Sequence, residues 1–226
     1  MLRAIIFDCD GVIADTEPLH FAALKRVLDE EGIPITKEKY YREYLALDDR
    51  GCFTKAFRES AKPLTDEKLA ELIARKASYI DPVMREELIL FPGVRELIKE
   101  AASRYPLAIA SGALRNEIEL ILKCGGVSDY FVTIVSAEDV ERGKPDPESF
   151  LKACEQISAA VNETIAPREC LVIEDSIHGI HAAQAAGMLC LAVANSYPKE
   201  KLAEAGHVVE TLVGLSLKKL ESFFDR

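Results

Sequence analysis

The 226-residue sequence has few of the features that mark several classes of protein. None of its six cysteines forms a CxxC pair, which argues against a zinc site and a redox dithiol and favours buried free thiols. No run of about 18 apolar residues occurs and no long apolar segment follows Met1, so neither a membrane span nor a signal peptide is expected. No repeat or Ser/Gly/Pro-rich tract interrupts the chain. These absences predict a cytoplasmic protein with a packed core.

Negative charge exceeds positive charge, because 38 Asp and Glu residues stand against 28 Lys and Arg, for a formal net charge of -10. A field of this sign disfavours nucleic acid and anionic membrane as partners, although it allows a local basic pocket for a small phosphate. The expected partner is therefore a small molecule. The sequence is equally compatible with a monomer and a homodimer.

Short apolar runs separated by helix-like segments predict an open α/β sheet of parallel strands. The runs are LRAIIF from Leu2, PLAIAS from Pro106, FVTIVS from Phe131, ECLVIED from Glu169 and LCLAVAN from Leu189, with HVVET from His207 as a further candidate. Ligands of such sheets bind beyond the carboxyl ends of the strands. We therefore look for chemistry at those ends.

One region breaks the alternation of strands and helices. From about Thr16 to about Leu88 there is no strand signal, and apolar residues recur at helical spacing. We predict an α-helical domain at residues 16–88, inserted after the first strand. The α/β core then comprises residues 1–15 and 89–226.

Two acids follow the first predicted strand, in the segment IFDCDGVI. Because alternate residues of a strand point to opposite faces, Asp8 and Asp10 point the same way, and Cys9 points the other way, into the fold. Two like charges this close raise one pKa unless a cation separates them. The pair therefore indicates a metal site or acid/base chemistry, against the alternative of two aspartates that cap a turn.

Polar residues also follow two other predicted strands and occupy one loop. They are Ser111 with Gly112, Lys144 in GKPDP, and Glu174 with Asp175. Singly, Ser111 and the two acids are typical of helix starts, and Lys144 is typical of a solvated loop. Together they form an oxygen-only acid set that suits Mg²⁺, with a lysine and a hydroxyl for phosphate oxygens. This combination indicates phosphoryl transfer.

Four segments, DCDGVIADTEPLH, ASGA, GKPDPESF and VIEDSIHGIHAAQAAGM, resemble the four motifs of the haloacid dehalogenase superfamily in order and spacing. The match is to its phosphatase and phosphomutase branch, with a helical cap after the first motif. The resemblance implies a Rossmann-like core with an inserted α-helical cap domain. It also implies a Mg²⁺-dependent phosphatase that acts on a small phosphorylated metabolite, a sugar phosphate or a phosphoglycolate-like compound, through an aspartyl-phosphate.

The same resemblance implies a role for each motif residue. Asp8 is the expected nucleophile and Asp10 the general acid/base, while Ser111 and Lys144 hold phosphate and charge. The expected Mg²⁺ ligands are Asp8, the backbone carbonyl of Asp10, Glu174 and Asp175.

Substrate choice is expected to depend on the cap. The candidate substrate-binding residues are Gly112, Thr16, His20 and Arg50. Arg50 either grips a second phosphate or carboxylate or forms a surface ion pair with Asp48 or Asp49. Thr16 and His20 resemble a β-phosphoglucomutase, whereas the segment around Arg50 departs from the Gly-Val-Ser-Arg pattern of that enzyme. A β-phosphoglucomutase-like phosphomutase is therefore the alternative function.

Two other interpretations are weaker. Dehalogenases of the superfamily dispense with the metal and with the second acid of the first motif, which this chain keeps as Asp10. A non-catalytic binding module would not need the intact acid set. His178 and His181 are expected to be ordinary helix residues, because no third zinc ligand accompanies them.

Overall fold

The computed structural model describes residues 1–45 and 47–225, without the side chains of residues 81 and 83–87; Ala46, in the predicted helical region, and Arg226 lie outside the description. The chain divides into two compact units. The core unit comprises Met1–Asp15 and Leu88–Arg226, and the insert unit comprises Thr16–Glu87. Leu88, which the sequence analysis placed in the helical domain, belongs to the core unit. The chain rejoins that unit here because Ile89 and Phe91 form backbone hydrogen bonds with the segment after the first strand.

The insert unit is helical throughout its described regular elements. They are α1 (Glu17–Glu30), α2 (Lys37–Glu43), α3 (Asp49–Glu59) and α4 (Asp66–Glu87). Side chains at helical spacing form its apolar core, including Leu24, Leu28, Phe53 and Leu72. Gly32, at φ +67°, follows α1 and allows the chain to turn away.

The described part of the core unit forms a six-stranded parallel sheet of order β3-β2-β1-β4-β5-β6. The strands are β1 (Ala4–Phe7), β2 (Leu107–Ala110), β3 (Phe131–Val135), β4 (Cys170–Glu174), β5 (Leu189–Val193) and β6 (Gly206–Val209). The central strands β1, β2 and β4 are buried along their whole length, which explains why their sequences are apolar without alternation. The predicted α/β class is confirmed, and HVVET supplies a true strand.

Helices and short 3-10 segments connect the strands of the core unit. The helices are α5 (Val94–Ala102), α6 (Arg115–Gly125), α7 (Glu148–Val161), α8 (Ile177–Ala185) and α9 (Leu217–Glu221). The 3-10 segments are Ser128–Tyr130, Ala137–Asp139, Pro167–Glu169, Lys199–Ala205 and Ser222–Phe224. None of the helices among the described residues has the length and apolar character needed to cross a membrane.

The cysteines pack inside the protein, with one exception. All six are free thiols, and Cys124 alone among them is exposed. The sulfur of Cys170 donates a hydrogen bond to that of Cys154 at 3.5 Å, a contact between distant positions that spacing along the chain does not reveal. Cys9 is fully buried and burial raises its pKa, so its predicted packing role is confirmed.

Candidate active site

The strand register brings three of the predicted motifs to one edge of the sheet. Phe7, the last residue of β1, is level with Ile109 in β2 and with Ile173 in β4. Asp8 follows at once, and its backbone N–H donates to the carbonyl of Ile173 at 2.9 Å. Because β2 ends just before Ser111, the polar residues of the neighbouring strands emerge at the same edge.

Lys144 joins two of these motifs. Its Nζ lies 2.5 Å from Oδ1 of Asp8 and 2.7 Å from Oε1 of Glu174. All three side chains are largely buried, with exposed fractions of 12% for Lys144, 8% for Asp8 and 1% for Glu174. The alternative interpretation of Lys144 as a solvated loop residue is therefore wrong. Its ammonium group lies inside the site and bridges two carboxylates that are far apart in sequence.

The acids of the site are perturbed because they are buried close together. Burial raises the pKa of Asp8 to about 8, although the positive charge of Lys144 acts in the opposite direction. Burial also raises the pKa of Asp175 well above its usual range, and the charges of Glu174 and Asp8 add to this effect. Burial disfavours the charge on Lys144, but Asp8 and Glu174 outweigh it and raise its pKa. The site thus buries the carboxyl groups of Asp8, Glu174 and Asp175 beside the ammonium group of Lys144.

Glu174 is held by donors on both of its oxygens. Oε2 accepts hydrogen bonds from the backbone N–H groups of Asp175 at 2.8 Å and Ser176 at 2.7 Å, and from the Ser176 hydroxyl at 2.9 Å. Oε1 accepts from Lys144. Within the described residues, no three His, Cys, Asp or Glu side chains converge closely enough to hold a metal ion as they stand. Glu174 here orients Lys144 and the start of α8.

A tight turn after Asp10 brings the first motif against Asp175. Gly11 has φ +77°, and its N–H donates to the carbonyl of Ala14 at 3.0 Å. A β-carbon at Gly11 would lie only 1.9 Å from Oδ2 of Asp175. The carboxylate of Asp175 therefore packs on the bare backbone of Gly11. Asp10 is half-buried beside this contact, and its charge contributes to the raised pKa of Asp8.

Ser111 and Gly112 differ in exposure. Ser111 is buried, and its hydroxyl accepts a hydrogen bond from the N–H of Ala113 at 3.1 Å, which stabilises the turn. Gly112 is exposed, and a β-carbon there would meet no other atom within 4 Å. The backbone at Gly112 is therefore open to a ligand, and the predicted phosphate contact at Ser111 remains a prediction.

The remaining predicted residues, Thr16, His20 and Arg50, belong to the insert unit. The structure also shows a lysine beside one of them. Lys76 is almost fully buried, forms an ion pair with Asp49 and lies with its Nζ 3.1 Å from Nδ1 of His20. Thr16 is buried, and Arg50 is exposed. The two aspartates considered as partners of Arg50 have other partners.

Asp48 caps α3 by accepting from the N–H of Gly51 at 2.7 Å, while Asp49 pairs with Lys76. The sequence analysis missed Lys76, although a signal existed. It lies on the helical stripe of Leu69, Leu72 and Ile80, all of which are buried in α4. A lysine on such a stripe indicates a buried charge that needs a partner.

Removal of Lys144 should destabilise the protein. In Lys144→Ala, measured without divalent cations, we expect the free energy of unfolding to fall by about 3 kcal/mol, because Asp8 and Glu174 lose their buried counter-charge. Urea denaturation checks this, with the exposed Lys201→Ala as the matched control. A Lys144→Ala protein with the wild-type unfolding midpoint would show that the buried bridge contributes nothing to folding.

Comparison with known proteins identifies the family of the chain. A model of the haloacid dehalogenase-like hydrolases matches residues 5–193. A phosphorylated carbohydrates phosphatase from Thermotoga maritima is 31% identical over 188 residues, which cover 83% of this chain and 82% of the relative. Beta-phosphoglucomutase from Bacillus subtilis is 28% identical, with coverage of 87% and 85%.

A solved structure shows the same architecture. The crystal structure of beta-phosphoglucomutase from Clostridium difficile matches with a TM-score of 0.82 at 25% identity, over 100% of both chains. The predicted family and the predicted enzyme class, a phosphatase, are thereby confirmed. The chain belongs to the haloacid dehalogenase-like hydrolases, in their branch of phosphatases and phosphomutases.

Proposed function

We propose that the protein is a Mg²⁺-dependent phosphatase of small phosphorylated metabolites that works through a phosphorylated Asp8. The observation that carries the proposal is the buried group of Asp8, Lys144 and Glu174 at the carboxyl edge of the sheet. A carboxylate held by a lysine at the end of a strand, with a second acid two residues later, has the parts that phosphoryl transfer needs.

The residues of the site divide the steps of this reaction among them. An Oδ atom of Asp8 attacks phosphorus, the bond from phosphorus to the ester oxygen breaks, and Asp10 gives a proton to the departing alkoxide. Asp10 then takes a proton from water as that water attacks the phosphorus of the aspartyl-phosphate, which releases phosphate and restores Asp8. Lys144 offsets the developing negative charge, and Ser111 with the N–H of Gly112 binds phosphate oxygens.

The donor set fits Mg²⁺ in its chemistry. The proposed ligands are carboxylate oxygens of Asp8 and Asp175 and the backbone carbonyl of Asp10, with Glu174 as the fourth predicted ligand, and Mg²⁺ prefers such oxygen donors. Three buried carboxyl groups, those of Asp8, Glu174 and Asp175, lie beside the ammonium group of Lys144, and such a grouping of acids supports a cation at this place. When bound, Mg²⁺ would neutralise phosphate and carboxylate charge so that Asp8 can approach phosphorus.

A sugar phosphate is the substrate class that we propose. The relative from Thermotoga maritima is named as a phosphatase of phosphorylated carbohydrates, and the other is named as a mutase of a phosphorylated sugar. In the insert unit, His20 is half-buried beside Lys76, and its imidazole is a group suited to a hydroxyl-rich ligand. The free thiols of all six cysteines agree with a cytoplasmic location.

Phosphomutase activity is the second candidate, because beta-phosphoglucomutase is among the relatives. A mutase lets a sugar hydroxyl reach the intermediate, whereas a phosphatase admits water. The test incubates the protein with β-glucose 1-phosphate, Mg²⁺ and a trace of glucose 1,6-bisphosphate, and follows both glucose 6-phosphate and free phosphate.

We expect free phosphate to appear at least as fast as glucose 6-phosphate, and EDTA to stop both, with recovery on addition of Mg²⁺. A parallel panel of other sugar phosphates and of phosphoglycolate identifies the preferred ester. Glucose 6-phosphate that forms much faster than phosphate would replace the phosphatase assignment by the mutase. Activity that persists in EDTA would refute the metal requirement.

A further inference from the structure

The carboxyl end of β5, which belongs to none of the four predicted motifs, also lies at the edge of the sheet that carries the site. β5 ends at Val193 and pairs with β4 so that Ala192 is level with Glu174. Asn195 and Ser196 follow after one further residue, Ala194. Both lie beyond the residues 5–193 that the family model matches.

Asn195 holds the turn of the first motif. Its side-chain Nδ2 donates to the backbone carbonyl of Gly11 at 2.7 Å, across 184 positions of sequence. The N–H of the same glycine donates a hydrogen bond to the carbonyl of Ala14. Glycine is the residue with the greatest backbone freedom, and these two bonds fix the peptide groups on both sides of it. One of these peptide groups contains the carbonyl of Asp10.

Ser196 adjoins the residue that packs on the same glycine. Its side chain lies close enough to the carboxylate of Asp175 to interact with it. The carboxylate of Asp175 lies against the backbone of Gly11, where a β-carbon would come within 1.9 Å of Oδ2. Asn195 thus restrains the Gly11 turn, and Ser196, the next residue of the same loop, adjoins the Asp175 carboxylate that packs on this turn.

We propose that Asn195 and Ser196 are positioning residues that set the distance between the Asp10–Gly11 turn and Asp175, and through it the affinity of the site for its divalent cation. This inference rests on the proposed function, since it uses the same ligands. Neither residue needs to touch the substrate. Groups that orient metal ligands commonly affect metal affinity by about 10- to 100-fold when they are removed.

The test measures metal binding separately from catalysis. Asn195→Ala and Ser196→Ala are titrated with Mn²⁺, and free Mn²⁺ is followed by its electron paramagnetic resonance signal. We expect each variant to bind Mn²⁺ about tenfold more weakly than wild type. The same shift should appear in the Mg²⁺ concentration for half-maximal phosphate release, while KM for the ester at saturating Mg²⁺ changes less than about threefold.

A matched control separates positioning from general stability. Gln184 also donates from a side-chain amide to a backbone carbonyl, that of Glu204, at 2.5 Å. Gln184→Ala should bind Mn²⁺ like wild type, and Ser196→Thr, which keeps the hydroxyl, should recover most of the affinity lost in Ser196→Ala. Thermal denaturation without metal reports whether each variant is folded.

Folded Asn195→Ala and Ser196→Ala proteins with wild-type Mn²⁺ affinity would overturn the inference. If Asn195→Ala does not fold, Ser196→Ala and its threonine counterpart decide alone. A wild-type protein that binds Mn²⁺ but hydrolyses no phosphate ester would refute the proposed function, while the Mn²⁺ affinities of the variants would still decide the inference. A wild-type protein that binds no Mn²⁺ would refute both.

Discussion

Replacement of Asp8 by Asn should lower the turnover of phosphate esters by on the order of a thousandfold or more. The amide nitrogen and oxygen are poor nucleophiles, so the covalent intermediate of the proposed reaction does not form. The variant also loses one negative charge of the proposed metal site. Phosphate release from the preferred ester at saturating Mg²⁺ measures the effect, with Asp129→Asn, an exposed aspartate of the core unit, as the matched control.

The same substitution should leave the fold intact. Asp8 is a buried carboxylate with its pKa raised to about 8, so burial disfavours its charge, and asparagine of nearly equal size removes that charge. Lys144 keeps Glu174 as a partner at 2.7 Å. We therefore expect a metal-free melting temperature within a few degrees of wild type. A folded Asp8→Asn protein that keeps more than about a tenth of wild-type turnover would contradict the nucleophilic role of Asp8.

The sequence predicts the strand-end acids well because that part of the site follows from local pattern and topology. Short apolar runs such as AIIF and CLVIE form buried parallel strands, and parallel strands in register end at one edge. Asp8 and Glu174 must then emerge side by side, whatever the loops do. Placement of these acids needs no knowledge of side-chain packing.

The partners of those acids are not predictable in the same way. Lys144 lies in a loop, and nothing in GKPDP fixes whether its ammonium group faces solvent or the two carboxylates. The bond from Asn195 to Gly11 depends on the register between β4 and β5. Such contacts between distant positions are set by tertiary packing, for which the sequence carries no periodic signal.

The first and last residues of a helix are also only partly predictable from the sequence. Thr65-Asp66-Glu67 is a sequence typical of a helix start, because a threonine that can cap the helix precedes two acids, and α4 begins at Asp66. Its apolar spacing supports a helix to about Ile80, yet α4 continues to Glu87 with Pro82 inside it. Proline removes one backbone donor from a helix and usually ends it. Here the helix is long, with 22 residues, and the loss of one bond does not end it.

The second large effect is expected at Gly179, in the first turn of α8. A β-carbon there would lie 1.7 Å from Oε1 of Glu174 and 1.8 Å from its Cδ. Glu174 cannot swing aside without loss of its bonds to the N–H groups of Asp175 and Ser176 and to Lys144. The bare backbone of this glycine is therefore needed to make room for the carboxylate.

Gly179→Ala should for this reason reverse the usual sign of a glycine-to-alanine change in a helix. Such a change ordinarily stabilises a protein by about 0.5–1 kcal/mol. Here we expect a loss of about 2–4 kcal/mol in the free energy of unfolding, because a buried carboxylate loses donors or α8 shifts. Phosphate release should fall at least about tenfold, since Glu174 no longer holds Lys144 against Asp8.

A double-mutant cycle with Glu174→Ala isolates the cause. On that background the β-carbon of Ala at position 179 meets no carboxylate, so the glycine change should be neutral or stabilising in urea denaturation, while activity stays low. The clash is supported if Gly179→Ala lowers the free energy of unfolding when Glu174 is present and no longer lowers it in the Glu174→Ala background. A Gly179→Ala protein as stable and as active as wild type would show instead that Glu174 is free to move, and that its bonds to Lys144 and to the start of α8 do not define the site.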